Sequence, residues 1–153
     1  MSDTASDQRL LDDLQDGDEH VRAAAAGELW RRGHPRALEA SLRTLDDAAE
    51  EAHADVTPSV WRLAAFGPAA LDGLFDRLVD GEPMTRLHAA RAAQEIGKRQ
   101  YGFDGRDWPD NGAYARWAGW WQHAIGYAYD APLPERAAAV ARLRAARAGW
   151  TAR

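Results

Sequence analysis

The chain has 153 residues, 46% of them hydrophobic and 28% charged, which suits one folded unit and excludes a disordered tail. No apolar run approaches the ~18 residues of a membrane-spanning helix. The absence of cysteine excludes disulfides, thiolate nucleophiles, cysteine zinc sites and iron–sulfur clusters, and a net charge of −5 weighs against a nucleic-acid partner.

Taken in chain order, the segment MSDTASDQRLLDDLQDGDE is acidic and has no apolar stretch, so a cytoplasmic location is expected in place of a secretory signal. Residues 19–32 form an alanine-rich helix and 37–45 a leucine-spaced one. The acidic run 46–55 extends that helix or makes a long corner with a solvated face. Thr57-Pro58 reads as an N-cap with proline at the first helical position, opening a helix over 58–66. A second leucine-spaced helix covers 69–79, Asp80-Gly81-Glu82-Pro83 is a turn, and a third alanine-rich helix covers 84–97. Gly33, Gly67 and Gly97 follow the alanine-rich helices, where a left-handed position favours glycine. A loop over 98–112 leads to an aromatic helix over 113–128 and an arginine-loaded capping helix over 134–149.

The helices repeat. Leu11, Leu14, Gly17, Val21, Arg22, Ala25, Ala26 and Gly33 recur 64 residues later as Phe75, Leu78, Gly81, Thr85, Arg86, Ala89, Ala90 and Gly97. A middle copy maps Gly33, Leu38, Leu42 and Leu45 onto Gly67, Leu71, Phe75 and Leu78, a period of 32–34 residues. The expected fold is all-α: a right-handed α–α superhelix of three to four repeats over 8–97, within a single domain spanning 1–153.

DGDEHVRAAAAGELWRRGHPRALEASLRTL (16–45) resembles a HEAT repeat of the type found in phycobilisome-lyase-like bacterial proteins. LAAFGPAALDGLFDRLVDGEPMTRLHAARAAQEIG (63–97) resembles the copies that follow it. Tyr101-Gly102-Phe103-Asp104, and then Trp117, Trp120 and Trp121, resemble a tail common in such proteins, here interrupted by residues 105–113. The resemblance implies groove binding of an extended conjugated ligand, with addition of a nucleophile to an activated double bond.

Repeat register places candidate residues in columns. Gly27, Trp61 and Arg91 share one, Ala24, Pro58 and His88 the next, and Trp30, Ala64 and Gln94 a third. His88 and Arg91 are neighbours on one helix face, giving a proton donor or acceptor beside a cation able to hold an enolate oxygen. The plain alternative is a packing and cation–π contact between repeats. Seven tryptophans are many for a core this size, and four lie between 108 and 121. Tyr114, Trp117, Trp120 and Trp121 are read as core packing with at least one ring turned to a groove, because neighbours on a helix are ~100° apart. His123 and Tyr127 would form a polar edge there. Asp104, Asp107 and Asp110 suit Asx turns more than catalysis. The five histidines show no metal-ligand spacing, and no nucleotide or nucleophile motif is present.

Two functions follow. The first is cofactor-free binding of a large apolar or conjugated small molecule, coupled to an acid–base lyase or cyclase reaction in bacterial secondary metabolism. Its catalytic residues would be His88 and Arg91. Its ligand contacts would be Trp30, Trp61, Gln94, Tyr114, Trp117, Trp120, Trp121 and His123. The second is a protein-interaction scaffold using the concave surface. A homodimer through exposed tryptophans fits either. A HEAT-like DNA glycosylase is a poor third on charge.

Overall fold

The computed structural model describes residues 4–150; the ends of the expected 1–153 unit, 1–3 and 151–153, lie outside the described residues. Every regular element among the described residues is helical. In order these are α1 (Thr4–Asp13), α2 (Glu19–Arg31), α3 (Ala37–Arg43), α4 (Pro58–Phe66), α5 (Pro68–Asp80) and α6 (Pro83–Gln100). Then α7 (Ala113–Gly119) runs into a π-helical turn (Trp120–Ile125), and α8 (Leu133–Arg147) closes the chain.

Local chemistry sets the boundaries. The Asp18 carboxylate caps α2, accepting from the His20 N–H at 2.8 Å. The Thr57 hydroxyl caps α4, accepting from the Val60 N–H at 3.2 Å, with Pro58 at the first position. Gly33 and Gly67 have the expected positive φ beyond α2 and α4. Gly97 does not: it lies inside α6, and a Cβ there would meet the Trp120 ring at 2.7 Å. Its missing side chain serves the close approach of an aromatic ring, and the helix continues three residues further.

The alanine-rich helices pack in a row, α2 on α4 and α4 on α6, while α3 packs on α5 and α5 on α8. Contacts of α3 with α4 and α5 with α6 join the rows. Small buried side chains such as Ala26, Ala89, Ala92 and Ala93 let the axes approach. Leu63, Leu71, Leu74, Leu78, Ile96 and Leu143 fill the main core. A smaller cluster around Leu14, Ala26 and Leu29 lies under α1 and α2, and Phe66 packs against both.

Three segments show what the sequence reading leaves out or misplaces. The acidic run is a long corner, but three of its carboxylates are tied to the helix row. Asp46 meets His88 and Thr85, Asp47 takes both prongs of Arg22 at 2.8 Å, and Asp55 meets Arg91. The α8 arginines likewise dock the helix: Arg136 donates to the Val79 carbonyl, Arg142 to that of Ile125, and Arg147 to that of Pro68 and to Asp72. The aromatic helix expected over 113–128 stays α-helical only to Gly119, widens into the π-turn, and ends at Gly126 in a left-handed conformation.

Candidate functional site

The polar groups converge on α6. Arg91, Glu95 and Lys98 follow at spacings of four and three, which puts them on one face. Glu95 is 5% exposed and accepts from Arg91 Nε at 3.2 Å and from Lys98 Nζ at 2.7 Å. The Arg91 Nη1 also donates to Asp55 at 2.7 Å, tying α6 to the 44–57 corner. Across the row, the Arg91 guanidinium lies 5.6 Å from the centre of the Trp61 ring on α4. Register reasoning anticipates that pair. Gly27, the third member of its column, faces Arg62 instead, whose Nη1 would lie 3.3 Å from a Cβ there. Lys98 Nζ sits 5.0 Å from the ring centre of Trp117 and 5.5 Å from that of Phe103.

Arg91 separates two clefts. One, of about 180 Å³, is walled by Trp61, Arg91, Glu95, Lys98 and Arg99, with Phe103 and Gly105 arriving from the loop after α6. The other, of about 130 Å³, lies between Leu87, Arg91, Gln94 and the rings of Trp121, Tyr127 and Tyr129, with Asp55 at its edge. Sites for drug-sized ligands run to roughly 300–1,000 Å³. Each cleft therefore suits a compact molecule, or one end of a larger one.

No protein-family model matches this chain. No curated protein and no solved structure matches it either. The functional reading rests on the site itself.

His88 stands apart from both clefts. Its ring is 1% exposed, with Nδ1 2.7 Å from the Asp46 carboxylate and Nε2 2.8 Å from the Ala54 carbonyl. Both partners are acceptors, so both ring nitrogens donate and the ring is an imidazolium. Burial works against that charge. The hydrogen bonds from the ring to Asp46 and Ala54, with the charges of Asp46 and Asp55, prevail and raise its pKa above the ordinary histidine value. The Asp46 carboxyl, partly desolvated though its side chain is 45% exposed, is held below the usual range by His88 and Thr85.

The remaining expected contacts divide. Trp61 reaches the first cleft, and Gln94 and Trp121 the second. Trp30 is 44% exposed on α2 and lines neither. Trp117 is buried in a cluster with Phe103, Trp108 and Tyr114, while Trp120 packs between Tyr101, Trp121 and Trp150. His123 is exposed. Tyr127 does not join it: its buried hydroxyl donates to the Leu78 carbonyl at 2.7 Å, and burial pushes its pKa up to about 12. Asp104 and Asp110 accept from backbone N–H groups two and three residues ahead, ordering the loop.

Sequence reasoning missed Glu95, Lys98, Arg99 and Phe103. The four- and three-residue spacing after Arg91 carries a signal for the first two. Phe103 reaches the cleft only through the shape of a loop, which no periodicity encodes.

Proposed function

We propose that this chain is a small binding protein, built as a right-handed α–α superhelix of HEAT-like repeats. In this reading it takes a compact molecule with a flat unsaturated portion in the cleft beside Trp61. The observation that carries it is the lining of that cleft: aromatic rings, Trp61 and Phe103, interleaved with the cations of α6. The alternating helix rows and the 32–34-residue period support the superhelix. Any lyase or cyclase chemistry would fall to Glu95 and Lys98, which face the cleft, and not to His88, whose ring nitrogens are both engaged.

Tryptophan fluorescence titrated with a panel of flat conjugated molecules tests this. Saturable quenching is expected, lost in Trp61→Leu and retained in Trp30→Leu, since Trp30 lines neither cleft. Quenching that survives Trp61→Leu rejects the site.

One observation favours a second reading, a scaffold for another protein. Trp30 and Trp61, 44% and 45% exposed, stand on successive helices of the same row. Under that reading both substitutions weaken capture of the partner, and small molecules leave the fluorescence unchanged.

A further inference from the structure

The charges around the first cleft do not balance. Three cations of α6 line it: Arg91, Lys98 and Arg99. Two carboxylates answer them. Glu95 is shared between Arg91 and Lys98, and Asp55 takes the far side of Arg91. The Arg99 side chain makes no hydrogen bond or ion pair with any described residue, and its Nε is buried without an acceptor. An unpaired cationic donor at a partly buried position is unfavourable, and proteins ordinarily place a carboxylate against it.

The guanidinium is also presented. A Cβ at Gly105 would lie 3.5 Å from Nη2 and 3.8 Å from Nη1, so a side chain there would be in van der Waals contact with the group, and glycine leaves that side of it uncovered. Trp61 and Phe103 border the same space. An apolar cavity of about 150 Å³ accommodates one benzene ring, so 180 Å³ is room for a single ring with a small charged group.

We infer that the cleft is an anion-selective site whose ligand is a compact aromatic or conjugated acid, its carboxylate held by Arg99 and its ring lying against Trp61 and Phe103. The inference rests on the binding reading above and adds the charge and the residue that selects it. Arg99 is suited to the task because a guanidinium keeps its charge at any physiological pH and presents paired donors to a carboxylate.

Benzoate and benzamide, equal in shape and different in charge, form the test. Tryptophan indole N–H resonances are followed by NMR, with that of Trp61 identified by its loss in Trp61→Phe. Benzoate is expected to shift the Trp61 resonance at a concentration about tenfold lower than benzamide. Arg99→Gln should weaken benzoate about tenfold and leave benzamide unchanged, while Arg99→Lys should keep part of the preference for the acid. Equal binding of the two probes, or a preference that survives Arg99→Gln with the indole spectrum intact, overturns the anion inference and leaves the cleft standing. No shift of the Trp61 resonance with either probe removes the cleft reading and the inference with it.

Discussion

A histidine that donates through both ring nitrogens is a clamp with a pH limit. The native pKa of His88 is raised, so its contribution is complete below the unfolded value of 6.5 and fades as pH rises through the native value. Asp46, with a lowered native value, contributes at neutral pH and loses its share only in acid. His88→Gln should therefore cost ~2 kcal/mol near pH 6, roughly 4–8 °C in Tm for a chain of this size. The gap should narrow toward pH 9, which a thermal-melt series on both proteins would measure. Arg99 predicts the opposite sign. Arg99→Met keeps an apolar stem and removes a guanidinium without a partner, so Tm should rise, the pattern of a side chain kept for a purpose other than stability.

Two glycines on neighbouring elements separate propensity from packing. Alanine gains about 0.5–1 kcal/mol over glycine inside a helix. At Gly119 in α7 nothing lies within 4 Å of a new Cβ, so Gly119→Ala should stabilise by that amount. At Gly97 the Cβ would sit 2.7 Å from the Trp120 ring, so Gly97→Ala should destabilise by about 1–3 kcal/mol despite the better propensity. Urea denaturation of both variants checks the sign of each. Helices such as these were legible where their signals are local: the alanine-rich helix over 58–66 has its cap, its proline and its terminal glycine within eleven residues. The aromatic segment reads as one helix over 113–128 but is α-helical only to Gly119, because a π-turn adds one residue to its turn and blurs the period that would mark the change. His88 was misplaced because its partners, Asp46 and Ala54, lie 42 and 34 residues away on a corner with no regular pattern. The Trp61–Arg91 pair was accessible because repeat register is itself a long-range signal.

Across the molecule the apolar interior is divided into a large cluster and a small N-terminal one, bridged by Phe66. Leu74 belongs to the large cluster and is 0% exposed, so Leu74→Ala should cost about 2–5 kcal/mol and lower the single melting transition. Phe66→Ala should act on cooperativity. With the bridge removed, calorimetric enthalpy should exceed the van't Hoff value as α1 and α2 melt ahead of the remainder. The turn over Trp120–Ile125 also bears on the length of the chain. A π-turn is an α-helix that has accepted one surplus residue, so deleting a residue there would let the hydrogen-bond ladder close in its regular form. The π-turn takes up its surplus residue within one widened turn, so closing it would leave the residues on either side on their present faces, with Ile125 still against the core. The surplus residue is slack in the chain: a single deletion at this turn would be absorbed where it falls, whereas the same deletion in the regular helix α6 would rotate the rest of that helix by ~100°.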